Sequence, residues 1–254
     1  VDIPSDKGIT TIYDYAFSGY RYVDKDLNTG DVITEEDPYY IKQYYIGNSA
    51  IKKIIIPEGV TTINKYAFAY LTELTEIVLP STLTKIGVGA FEGCNKLKTI
   101  SFPNGNNLQF INKDAFKMAE AGTVYNFSYD DEDGEIVTLG QSELTQFPFG
   151  EKLVAIGNYA FENCELDNVR LPETCQSIGI GAFRNCKNLS TIKFLSVKPV
   201  KAGAHAFEGC ESLTYLELNA QVISANACSD MTSLETVYIG ANVEVINKLA
   251  FAGC

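Results

Sequence analysis

The chain has 254 residues, 20 of them basic and 32 acidic, for a net charge of −12. That sign is wrong for holding phosphate backbones, which excludes nucleic acid as a partner class. No run approaches the roughly 18 to 20 consecutive apolar residues of a membrane helix, and the N-terminal Val1-Asp2-Ile3-Pro4 has neither an initiator methionine nor a basic-then-apolar leader, as expected of a chain whose targeting segment has been removed.

One pattern, Ile-Gly/Asn-x-x-Ala-Phe, recurs from end to end. Its Ala-Phe pairs fall at Ala16-Phe17, Ala67-Phe68, Ala90-Phe91, Ala115-Phe116, Ala160-Phe161, Ala182-Phe183, Ala206-Phe207 and Ala250-Phe251, with Ala227-Cys228 in the one missing place. Successive alanines are 51, 23, 25, 45, 22, 24, 21 and 23 residues apart, and a fixed period of this length marks a solenoid. Each long interval holds about one extra repeat's worth of chain. Nine rungs stacked on a continuous core are expected, forming one elongated domain, 1–254.

The first rung closes at Ala16-Phe17, and the first long interval opens an insert, Tyr20 to Tyr45, that carries Tyr20, Tyr22, Tyr39, Tyr40, Tyr44 and Tyr45. Within it Asp24, Asp26, Asn28 and Glu35 fall at offsets 1, 3, 5 and 12 of a calcium-loop template. The glycine required at the sixth place is Thr29, however, and Asp31 stands where an apolar residue belongs, so a solvated hairpin tip is expected and no metal.

The next rungs repeat a longer unit, seen in full from Leu74 to Cys94, where Leu74, Ile77, Leu79, Leu83, Ile86, Ala90, Phe91 and Cys94 are the apolar slots. The step Ile77-Val78-Leu79 has strand spacing, with the outer two residues facing inward and Val78 outward. Equivalent steps at 54–56, 100–102, 169–171, 192–194, 216–218 and 237–239 predict a parallel sheet along one side. Pro57, Pro80, Pro103 and Pro172 follow the strand and make a first corner, because proline lacks the amide donor that pairing needs. Asn64, Gly87, Asn112, Gly157, Gly179, Gly203 and Asn247 precede each alanine by three residues. They make a second corner, where a positive φ or a helix start costs least. Phe and Cys three residues apart then share one face of a single helical turn.

The second long interval holds Val124 to Phe149, with Tyr125, Phe127, Tyr129, Phe147 and Phe149. Val124 to Tyr129 and Ile136 to Leu139 flank the charged run Asp130–Glu135, which reads as two strands and a turn. The final rungs run on to Phe251-Ala252-Gly253-Cys254, where no polar capping unit follows, so the natural protein is expected to continue.

These blocks together resemble the leucine-rich repeats of the bacterial BspA-like surface proteins, across nearly the whole chain. The resemblance implies a right-handed solenoid, and with the spacing above the expected fold is an α/β leucine-rich-repeat solenoid, strand-rich, with a parallel sheet on one face and short helical turns; the two long intervals depart from the family's pattern and are expected to form β-hairpin-like inserts. The resemblance also implies an extracellular or cell-surface location and an interaction role such as adhesion, with no catalytic residues to carry over.

The reactive side chains agree. Cys94, Cys164, Cys186, Cys210 and Cys254 all follow the repeat Phe slot by three residues, where other rungs have Tyr20, Leu71, Ala119 or Met231; Cys175 matches Leu83, and Cys228 matches the Phe itself. All seven cysteines therefore read as small buried hydrophobes rather than disulfides. Zinc is not expected, since no Cys-x-x-Cys pair exists and His205 is the only histidine. That lone histidine, beside an Ala-Phe step, reads as an ordinary packed or surface residue. No nucleophile, base or cofactor is expected.

Function is left to the surfaces. The outward face of the sheet presents Arg170, Lys193, Tyr215 and Tyr238, and the first insert presents Tyr39, Tyr40 and Tyr44; Arg and Tyr supply much of the energy at interfaces. A host or matrix protein is the expected partner. A carbohydrate is the rival, because tyrosines near carboxylates also suit stacking on sugars.

Overall fold

The computed structural model describes residues 3, 8–17, 20–21, 45–46, 50–127 and 135–254. Its rungs are held in register by three sets of backbone hydrogen bonds. The front sheet consists of the predicted strand steps, all parallel: Lys53–Ile55, Glu76–Val78 and Thr99–Ser101 in one ladder, Asn168–Leu171 with Thr191–Phe194 in a second, and Tyr215–Leu218 with Thr236–Ile239 in a third. It is thus broken twice. The rung between the first two ladders carries Pro148 after Phe147, and proline has no amide with which to pair. The rung between the second and third swings out at Leu195 to Pro199, with Val197 85% exposed. Pro57, Pro80 and Pro172 each open a turn closed by the amide three residues on, so the first corner is as expected.

A back sheet runs behind it. Two-residue strands at Thr11–Ile12, Thr62–Ile63, Lys85–Ile86, Phe110–Ile111, Ala155–Ile156, Ser177–Ile178 and Lys201–Ala202 form a seven-stranded parallel ladder, and Val222–Ile223 pairs likewise with Val245–Ile246. After it comes the Gly/Asn corner. Its glycines are not in the left-handed region; they are there because the rungs nearly touch, and a Cβ on Gly87 would lie 2.6 Å from the carbonyl carbon of Asn64.

The expectation of an α/β fold with short helical turns is wrong. Among the described residues there is no helix, and the fold is a parallel β-solenoid. The cause lies beside each alanine. Tyr15, Tyr66, Gly89, Asp114, Tyr159, Gly181, His205, Asn226 and Leu249, the residues just before it, all adopt φ between 51° and 59°, and a left-handed residue ends a right-handed helix. Most rungs repeat the conformation two residues after the Phe slot, at Tyr70, Gly93, Asn163, Asn185, Gly209, Asp230 and Gly253. Amides then alternate. Ala90, Glu92 and Cys94 bond back within their own rung, whereas Gly89, Phe91 and Gly93 donate to Lys113, Ala115 and Lys117 of the next. The Phe-to-Ala member of this third ladder is unbroken through the stack, from Phe17 N–H to Ala67 O at 2.7 Å to Cys228 N–H to Ala250 O at 2.9 Å.

Inside these ladders the phenylalanines form a column. Phe17, Phe68, Phe91, Phe116, Phe161, Phe183 and Phe207 stack with centroids 5.0 to 5.8 Å apart and planes within 11° of parallel. One core cluster runs with it from Ile3 to Ala250. Thr11–Ile12 pairs directly with Thr62–Ile63, and Phe110–Ile111 with Ala155–Ile156, so the two long intervals add no rung. Each instead contains an antiparallel hairpin, Tyr20–Arg21 with Tyr45–Ile46 and Val124–Phe127 with Glu135–Thr138. The second insert ends before residue 149, because Leu144 and Phe147 are already back in the core.

All seven cysteines are free, and all but Cys254 are buried. Their slot has a polar reason as well as an apolar one. The thiols of Cys94, Cys164, Cys186 and Cys210 each donate to the carbonyl of a neighbouring rung's phenylalanine at 3.2 Å, and burial pushes the Cys94 and Cys228 thiols up to about 12 and Cys175 to about 11. Thiols this protonated are poor nucleophiles. Alkylation of the denatured, unreduced protein should therefore add seven labels by mass spectrometry, one per cysteine. Two or more cysteines resisting the label would show a disulfide and overturn the assignment.

Candidate functional site

Outside the core, the polar side chains fall into two groups. One is committed to the stack. The residue after each Phe slot reads Glu92, Lys117, Glu162, Arg184, Glu208 in successive rungs, and these signs alternate: Lys117 lies 2.9 Å from Glu162, and Arg184 lies 3.5 Å from Glu162 and 2.9 Å from Glu208. Burial opposes the charge on Glu208, but a hydrogen bond with His205 and the Arg184 guanidinium outweigh it and hold the carboxyl below its ordinary value. For Glu92, burial wins and raises it, despite the Tyr70 hydroxyl donating to the carboxylate at 2.7 Å. His205 is thereby accounted for as a stacking residue, bonded through Nδ1 to Glu208. Among the described residues no cluster of His, Cys, Asp and Glu could hold a metal. The calcium-like run at 24–35 lies outside the described residues.

The other group is uncommitted and lies on the front sheet. Arg170 and Lys193 project from strands that pair in register, each next to a buried neighbour, Val169 and Ile192, whose packing fixes the strand's face. Both cations are exposed, and among the described residues neither makes an ion pair or a side-chain hydrogen bond. Tyr215 and Tyr238, on the third ladder, are 49% and 57% exposed. Two grooves meet at Lys193. One, of about 510 Å³, is bounded by Phe147, Phe149, Arg170 and Pro172; the other, of about 690 Å³, lies where the sheet breaks and is bounded by Val197, Tyr215 and Glu217. Thr191, Lys193 and Leu195 line both, so the two grooves adjoin along one strand, and together they make up the front-sheet channel.

The structure therefore brings Arg170, Lys193 and Tyr215 to one channel and leaves Tyr238 beyond its edge. Tyr39, Tyr40 and Tyr44 lie outside the described residues. Sequence reasoning missed Phe149 and the outswung Leu195 to Pro199 segment as channel walls. The available signal was the 24-residue interval between Ala182 and Ala206, a rung longer than its neighbours.

A β-solenoid that leaves one sheet face bare, with one row of charged groups committed to the stack, is a repeat scaffold for interaction. The profile of the BspA type leucine rich repeat region matches residues 1–123 and 138–254 in six copies. The chain belongs to that family, which comprises bacterial cell-surface and adhesion proteins without catalytic function. No curated protein matches it in sequence. Among solved structures it is similar to a leucine-rich repeat protein from Bacteroides ovatus, 17% identical with a TM-score of 0.51 over 95% of this chain and 80% of that one. A leucine-rich repeat protein from Eubacterium ventriosum is 19% identical, with a TM-score of 0.51 over 80% of this chain and 51% of that one. The leucine rich repeat protein of T. pallidum is 26% identical, with a TM-score of 0.47 over 66% of this chain and 80% of that one. The Bacteroides and Eubacterium likenesses show a shared fold. Among the described residues no helix is long and apolar enough to cross a membrane.

Proposed function

We propose that this chain binds host or matrix proteins, acting as an adhesive module through the outer face of its front sheet and its aromatic inserts. The observation that carries the reading is the front-sheet channel, where Arg170, Lys193 and Tyr215 stand exposed on strands whose opposite face is locked in the core. A face held this rigidly loses little conformational freedom on binding, which favours affinity. Solenoids use such extended surfaces for protein recognition.

Immobilised protein should capture one or more components from a mixture of host-surface and matrix proteins, and Tyr215→Ala with Tyr238→Ala should weaken that capture. A glycan array on the same material is the counter-test. Binding to glycans with no protein captured would replace this reading with the carbohydrate one.

A further inference from the structure

The front sheet contains an unresolved electrostatic conflict. Arg170 and Lys193 are direct partners on adjacent parallel strands, about 4.8 Å apart at the backbone, and like charges placed opposite each other on a sheet are destabilising. Among the other described strands no two like charges are register partners. At Lys53 the chain sets Glu76 opposite, 2.8 Å away, and along the turn edge the signs alternate. With 32 acidic residues against 20 basic, two adjacent cations without a counter-ion do not reflect any shortage of acids.

We infer that the channel is a docking site for an acidic segment of a partner protein, an extended peptide whose carboxylate sits between Arg170 and Lys193. The inference rests on the protein-binding reading above and adds the chemistry of the partner. The two cations stand close enough to share one carboxylate, a charge-assisted contact stronger than a neutral one. Side chains two residues away on an extended peptide lie about 7 Å to either side. Apolar side chains line both grooves, Phe149 and Pro172 in the first and Val197 and Tyr215 in the second, so apolar flanking residues fit. Glu151 and Glu217 also line the channel, one in each groove. They oppose a long polyanion, and this favours an isolated acidic residue between apolar ones over a sulfated glycan.

The test uses the full chain and a fluorescein-labelled peptide, Ser-Leu-Ser-Asp-Ser-Phe-Ser, followed by fluorescence anisotropy. The Asp peptide should bind about tenfold more tightly than the same peptide with Asn, and Arg170→Gln with Lys193→Gln should remove that preference. Binding of the Asp peptide should weaken as salt rises. Lys85→Gln, which removes one exposed positive charge from the back sheet, should leave the affinity within about twofold. Equal binding of the Asp and Asn peptides would overturn the inference. So would tighter binding of a heparin oligosaccharide, or a Lys85→Gln effect as large as that of the channel variants. The two failures are separable. If a captured host protein still binds the Arg170→Gln, Lys193→Gln variant unchanged, the acidic-segment inference falls and the adhesive reading stands; if no protein is captured at all, the adhesive reading falls.

Discussion

Phe183→Ala will lower the stability of the chain by about 3 to 5 kcal/mol, the cost of emptying a large buried aromatic site. Phe183 is fully buried in the column, with Phe161 at 5.5 Å and Phe207 at 5.8 Å. Its neighbours cannot close over the gap, because the ring planes are held one rung apart by ladders on every side. The Phe183 amide donates to Ala206 O at 2.9 Å and the Phe161 amide to Ala182 O at 2.8 Å, and those bonds would have to stretch for the stack to collapse. Each rung is stabilised chiefly by its neighbours, so the loss should also raise local opening around residues 161–207. Lys193→Ala, ten residues on but outward-facing, should change stability by no more than about 0.5 kcal/mol. Urea melts of both variants provide the comparison. Equal losses would mean that the inward and outward faces have been interchanged.

Asn95→Asp should cost about 2 to 4 kcal/mol although it alters no volume, since a buried group placed against the wrong partner loses its bonds and keeps its desolvation. Asn95 is 2% exposed. Its amide nitrogen donates to Ala119 O at 2.9 Å and Gly140 O at 2.7 Å, and its oxygen accepts from the Ala119 amide at 3.2 Å. One side chain thus clamps both ends of the second insert where it leaves the stack. In the aspartate a carboxylate oxygen would face two carbonyls. Asn95→Ala should cost a comparable amount by leaving those groups without partners. Both variants should speed hydrogen exchange at Ala119 while leaving the Phe column protected. Unchanged exchange at Ala119 would show that the insert is held by something else.

The legible part of this chain was its periodicity. Spacing alone located the Phe slot, the strand steps at 54–56 through 237–239, the proline corner and the cysteine register, because each of these repeats at a fixed offset and each obeys a local rule. The hairpin after Val124 was legible for a similar reason, a charged run between two β-prone segments. The Ala-Phe-x-x-Cys turn was misread as helical. A single Phe-to-Cys step places two apolar residues on one face in a helix and in a pair of linked turns alike, and one turn is too short for period to discriminate. The left-handed position that decides between them is filled by Tyr66, Asp114, His205 and Leu249 as well as Gly89 and Gly181, so no residue type announces it. The back sheet was equally silent, since a two-residue strand such as Lys85–Ile86 has no alternation to detect.

By itself, then, the sequence determined the stack: how many rungs there are, which residues line their core, and to which family they belong, all consequences of side-chain type recurring at one interval. Only the tertiary structure decided the rest. Whether an amide bonds within its rung or to the next depends on the approach of a neighbouring rung about 4.8 Å away, which set the fold as all-β. Whether Arg170 and Lys193 meet as neighbours without a counter-ion, and whether the strands beside them part to open a channel, depends on register across rungs and on one outswung segment. Those are relations between residues about a repeat apart, and no local rule encodes them.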